Sequence, residues 1–155
     1  MADNNPRSTA RIFGHPVHPM LVGYPIAFLT GTLLSDLAYW LLRESFWAQM
    51  SLVLLAAGIL TAVAAALAGF TDFLGDRRIR ALSHAWQHML GNLLAVLVSA
   101  FNLYIRLDDP EAAIVPLGLL LSAAVGLILG FTGWRGGDLI YRHRVGIRDE
   151  RADSL

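Results

Sequence analysis

Five histidines and one isolated carboxylate stand where this 155-residue chain could do chemistry. His15 and His18 belong to a His-Pro-Val-His-Pro run, and His84 and His88 lie four residues apart further on. An i, i+4 pair shares one helical face, so His84 and His88 could chelate one transition metal, with a third ligand from His15 or His18. Haem asks for something different. Its axial ligands approach from opposite sides, so His84 and His88 cannot both serve one haem. One of them would combine with His15 or His18, or with a histidine of another subunit. The cofactor-binding candidates are therefore His15, His18, His84 and His88, and the cofactor is haem b or a transition metal. The plainer alternative is that these imidazoles bond backbone carbonyls, Asp72 and Asp76, or lipid phosphates. His143, in an arginine-rich tail, reads as solvated. No nucleophile–base pair and no phosphate loop is present, so no catalytic residue is assigned and an enzyme is the least supported class.

The carboxylate is Asp36, set in an apolar stretch five or six residues from its outer end. An ionisable group inside a membrane is a functional candidate by default, here for a proton or ion relay; the plain reading is a bond to Asn102 or Arg106 at similar depth. His84, His88, Asn92, Ala95, Ser99, Asn102 and Arg106 recur at spacings of three or four and form one helical stripe. Polar groups cannot face lipid unsatisfied, so the stripe should face a bundle interior. Asp36, Asn92, Ser99, Asn102 and Asp72 are the intramembrane polar candidates.

Such residues need long apolar helices to hold them. Hydrophobic residues make up 55% of the chain, charged residues 15%, and mean hydropathy is +0.53; soluble domains carry roughly 25% charge. Four stretches reach the roughly 20 residues a spanning helix needs, at about 21–42, 47–70, 84–105 and 114–134. The predicted fold is an all-α polytopic four-helix bundle, residues 14–147, between a flexible arm (1–13) and a flexible tail (148–155). Ser83 is a candidate N-cap, and Asp109-Pro110-Glu111 reads as cap, first-turn proline and first-turn acid. Net charge is zero, which argues against nucleic acid. No cysteine is present, which excludes disulfides and Fe–S ligation within these residues.

Ten of the twelve arginines flank the ends that carry the two termini; only Arg43 and Arg106 fall on the other side. The positive-inside rule then predicts a multi-pass protein of the cell's inner (plasma) membrane with both termini cytoplasmic. Trp40, Trp47 and Tyr104 would form the outer aromatic belt, and Tyr24, Trp86, Trp134 and Tyr141 the inner one. Gly118, Ser122, Gly126 and Gly130 form a small-residue ladder that allows close helix packing, within the chain or in a homo-oligomer. Gly69-Phe70-Thr71 and Gly130-Phe131-Thr132, with His18 and His88 early in spans one and three, suggest two tandem helical hairpins. The adjacent Gly136 and Gly137 permit a sharp turn or a close approach.

The His15-Pro-Val-His18-Pro-Met-Leu-Val opening, Tyr24-Pro25-Ile26 and Asp36 resemble the DUF2231 family of predicted membrane proteins. The Gly133-Trp134-x-Gly136-Gly137-x-Leu-x-Tyr141 ending, with Arg142-His143 and Val145-Gly146, resembles that family's C-terminal signature. The resemblance covers about residues 14–147 and implies four spans. Some members of that family carry a Rieske-type ferredoxin domain, which implies a membrane partner for electron transfer. A redox role here would need a separate partner protein or a quinone. The leading functional reading is a haem- or metal-binding membrane protein of electron transfer. The alternatives are a small transporter or proton-conducting protein, and a non-catalytic accessory subunit of a membrane complex.

Overall fold

The computed structural model describes residues 5–147. A two-stranded hairpin, β1 (Arg11–Ile12) and β2 (His15–Pro16), leads into α1 (Val17–Leu21) and α2 (Gly23–Leu42). Then come α3 (Ser45–Gly75), the short α4 (Arg77–Arg80) and α5 (Ser83–Ile105). A short α6 (Pro110–Ala113) and a kink at Val115, extended at φ −111° and ψ 124°, lead into α7 (Leu119–Tyr141). Four units are long and apolar enough to cross a membrane: Val17–Leu42, Ser45–Gly75, Ser83–Ile105 and Pro110–Tyr141. The fold is the all-α four-span bundle that the hydropathy pattern predicts.

The edges follow local chemistry, with differences. α2 stops where Arg43 turns left-handed at φ 59°. Asp109 caps α6 by accepting the amides of Glu111 and Ala112 at 3.0 and 3.1 Å, with Pro110 in the first turn. Ser83 does not cap α5; Leu82 occupies that position and makes no side-chain bond. α7 runs straight through Gly136 and Gly137 to Tyr141, so those glycines do not make a turn.

Burial is inverted relative to a soluble domain. Leu60, Leu67 and Leu127 are 73%, 66% and 79% exposed, whereas Asp36, Ser51, Ser99, Asn102 and Arg106 are fully buried. Lipid solvates leucine but leaves polar groups unsatisfied, so the polar side chains collect inside. α2 pairs with α3 and α5 with α7 as two hairpins; α2 also packs on α7, and α3 on α5. Hence α2 and α5 face each other across the bundle diagonal. At mid-height Leu29, Leu55, Ala95 and Val125 close the centre with a dry apolar layer.

Residues 5–13, read from composition as part of a flexible arm, make specific contacts at the arginine-rich end. The Asp72 carboxylate accepts from the Ser8 hydroxyl at 2.9 Å and the Thr9 and Ala10 amides at 2.7 Å each. The Gly146 amide donates to Pro6 O at 2.9 Å, joining the N-terminal segment to the chain after α7. Asp72, near the end of α3, is thus a clamp for the N-terminal segment. Residues 1–4 and the predicted tail 148–155 lie outside the described residues.

Asp76, beyond the end of α3, is a second clamp. It accepts the Arg7 amide at 2.9 Å and the Arg78 guanidinium at 2.7 Å. The Arg78 side chain, outweighing partial desolvation, holds this carboxyl well below the usual range, and the Arg7 and Arg78 amides lower it further. A lowered folded-state value means the stabilisation is complete above the unfolded value near about 4, and drains away only as pH falls through the lower folded value. Protection of the Arg7 amide, corrected for intrinsic exchange, should therefore stay constant between about pH 5 and 7. It should be lost in Asp76→Asn. Protection already falling at the upper end of that range would contradict this clamp.

Candidate functional site

Two polar centres occupy opposite ends of the bundle axis, and α2 with its leading turn and α5 contribute to both. His18 lies 18 residues before Asp36, and His88 lies 18 residues before Arg106. At 1.5 Å per residue each interval spans roughly 27 Å, close to the thickness of a bilayer core. The histidines meet at one end and the ion pair forms at the other.

The ion pair draws on all four spans. Arg106 grips Asp36 with two bonds, Nη1 to Oδ1 at 2.7 Å and Nη2 to Oδ2 at 2.8 Å. Ser51 of α3 donates to Oδ1 at 2.5 Å and Ser122 of α7 to Oδ2 at 2.6 Å. Arg106 Nε donates to Asn102 Oδ1 at 2.9 Å, and the Asn102 amide donates to Ser122 Oγ and Gly118 O at 3.0 and 3.2 Å. Neither charged side chain has any exposed surface. Gly118 is a glycine because a methyl there would sit 2.8 Å from both Ala113 O and Arg106 Nη2. Of the ladder, Ser122 belongs to this network and Gly126 faces Leu33 of α2, while a methyl on Gly130 would meet nothing within 4 Å. Arg106, on the inward stripe of α5, is internal, so it does not count with Arg43 among the charges of the opposite face. Ser51 was missed because one serine among leucines carries no periodic signal.

At the arginine-rich end the four sequence-flagged imidazoles do not form one cluster. His18 and His88 approach from diagonal positions, rings perpendicular and centroids 5.9 Å apart. His18 Nδ1 lies 2.8 Å from Ala65 O and His88 Nδ1 2.8 Å from Thr132 O. A carbonyl only accepts, so Nδ1 carries the proton in both rings, and the neutral ring keeps its lone pair on Nε2. The Asn92 amide lies 3.3 Å from His88 Nε2, and Thr132 Oγ1 donates to Asn92 Oδ1 at 3.2 Å. Each ring abuts a glycine one turn beyond its carbonyl partner: a methyl on Gly69 or Gly136 would sit 3.0 Å from His18 or His88 respectively. The two hairpins thus repeat one device, histidine to carbonyl with glycine behind. The equivalence pairs Gly69 with Gly136, not with Gly130 as the Gly-Phe-Thr match suggests.

His84 turns elsewhere. Its ring pairs with His143, which is half-buried in the turn after α7 rather than solvated. His15 is exposed in β2. Ser99 is buried, and among the described residues its hydroxyl has no hydrogen-bond partner.

A family model described as "Predicted membrane protein (DUF2231)" matches residues 14–149. No curated protein and no solved structure matches the chain significantly.

Proposed function

The chain belongs to the DUF2231 family of predicted membrane proteins, and from that premise we propose that His18 and His88 hold a redox centre, haem b, for membrane electron transfer. One observation carries the reading. Two imidazoles from different hairpins approach each other, each with Nδ1–H committed to a backbone carbonyl, so that Nε2 would ligate, in His88 by displacing the Asn92 amide at 3.3 Å. That backbone bond is the outer-shell contact that fixes tautomer and ring orientation in metal-ligating histidines. Haem b would be held by these two imidazoles, whose ring centroids are 5.9 Å apart, and would supply one-electron chemistry there. Among the described residues no group of three or more His, Asp or Glu side chains is placed to hold an ion.

The arginine-rich end would face the cytoplasm: with Arg106 buried in the ion pair, Arg43 is the one arginine of the described residues that remains on the opposite face. Electrons would pass to a quinone or a soluble partner at that end. A proton- or ion-conducting role is the second reading, favoured by the polar line along α5 from His88 to Arg106. The dry layer of Leu29, Leu55, Ala95 and Val125 weighs against an open path.

The test is an absorption spectrum of detergent-purified protein, made with ample haem and also titrated with haemin. A Soret band at near-stoichiometric haem is expected, lost in His18→Ala and in His88→Ala. A protein with intact helical circular dichroism that takes up no haem either way, or that keeps it in His88→Ala, would sink the reading.

A further inference from the structure

The second imidazole pair is built differently from the first and lies off the axis. His84 opens α5, and His143 sits in the turn after α7. Their ring centroids are 5.1 Å apart at a 44° tilt, with His143 Nε2 and His84 Nδ1 at 3.2 Å. The other nitrogen of His84, Nε2, points at Asp138, 3.7 Å from Oδ2. The Asp138 side chain is 8% exposed, and Arg142 Nε holds its Oδ1 at 2.9 Å. Among the described residues Oδ2 is buried without a hydrogen bond, although Arg135 Nη1 stands 3.6 Å away.

We propose that His84 and His143 chelate one first-row transition-metal ion of the nickel, copper or zinc kind, with Asp138 as the carboxylate behind His84. Two nitrogens bound to one ion at about 2.0–2.1 Å and a tetrahedral angle lie about 3.3–3.4 Å apart, with ring centroids about 5 Å apart. The observed 3.2 and 5.1 Å meet both conditions. The axial pair, at 5.9 Å and perpendicular, suits ligands on opposite sides of an ion and not this bite. A simple hydrogen bond from His143 Nε2–H to His84 Nδ1 also places two nitrogens at 3.2 Å and puts the same proton on His84 Nε2 facing Asp138, so ion uptake separates the two arrangements. With the ion on Nδ1, His84 must carry its proton on Nε2, and the buried oxygen lies on that side to accept it. This is the carboxylate–histidine–metal arrangement. His143 needs only to move its proton from Nε2 to Nδ1, so no net proton is lost from a neutral ring.

Imidazole selects nickel, copper and zinc over magnesium and calcium, which want oxygen. Arg135 and Arg142 add positive charge nearby, and water would complete the coordination, so the site takes its ion reversibly. Occupancy would tie the turn after α7 to the start of α5. That turn also meets the N-terminal segment through Gly146 and Pro6, so the ion would staple this turn and that segment over the arginine-rich face.

The experiment is calorimetric titration of tag-free, full-length protein in detergent with Zn²⁺ and Ni²⁺, with Cu²⁺ electron paramagnetic resonance on the same sample. One ion per chain and a two-imidazole copper signal are expected. His143→Ala, a change in a surface turn, should remove the site, and Asp138→Asn should weaken it about 10–100-fold. His88→Ala should leave it unchanged. No binding of any of the three ions would overturn the proposal. So would binding that survives His143→Ala or disappears in His88→Ala.

Discussion

Asp36→Ala is expected to destabilise the folded bundle by about 3–5 kcal/mol, and Arg106→Ala by a similar amount. Each change strands the partner's full charge where there is no exposed surface. Snorkelling offers Arg106 little relief. Its guanidinium is engaged by Asp36, Ser51 and Asn102 at once, and to reach water it would abandon all three. Ser122 and Ser51 would lose their acceptor as well. Hydrogen bonds between transmembrane helices average only about 0.6 kcal/mol, because the unfolded chain in lipid also finds partners. The hydroxyl contacts therefore contribute little, and the uncompensated charge decides the size of the effect.

The same reasoning predicts the double variant. Asp36→Leu with Arg106→Met leaves no lone charge, and paired removal of a buried ion pair is often close to neutral. Most of the lost stability should return, giving a large coupling energy in a double-mutant cycle. Reversible unfolding in mixed micelles reads both numbers. Single variants within about 1 kcal/mol of the parent would mean that the pair does not hold the bundle.

Membrane architecture was legible because it is written in bulk properties: length and apolarity of each span, and arginine at the ends. The α5 stripe was legible too, since a 3.6-residue period places Asn102 and Arg106 on one side and lipid forces that side inward. What escaped depends on which helices are diagonal neighbours. The i, i+4 relation of His84 and His88 suggests a shared site, yet the rings diverge. His88 leans inward to Thr132 O and His18, while His84, at the first turn of α5, meets the turn after α7. The partner of His84 is 59 residues away, and His143 shows no periodic relation to anything. Composition likewise does not record the contacts of residues 5–13. Asn, Ser and Arg suggest disorder, but the Asp72 carboxylate meets backbone amides whose position no side-chain pattern records.

Gly136→Val is expected to take the axial histidine pair apart while leaving the bundle folded. The added Cβ would lie 3.0 Å from His88 Cε1 and 3.1 Å from Nδ1, closer than normal contact. The clash falls on the end of a rotatable side chain and not on backbone, so the ring yields before the helices do. Overpacking of this kind costs about 1–3 kcal/mol. Moving the ring breaks its bond to Thr132 O and withdraws Nε2 from the axis. Gly69→Val should do the same to His18 and Ala65 O, since the two hairpins repeat the device. Nitrogen NMR of histidine-labelled protein tests this without any cofactor. The parent should show two protected Nδ1–H resonances, one per axial histidine. Gly136→Val should remove one and Gly69→Val the other, with helical circular dichroism unchanged. If both resonances persist in both variants, the glycines do not seat the imidazoles, and the tautomers on which ligation through Nε2 depends are not set by these contacts.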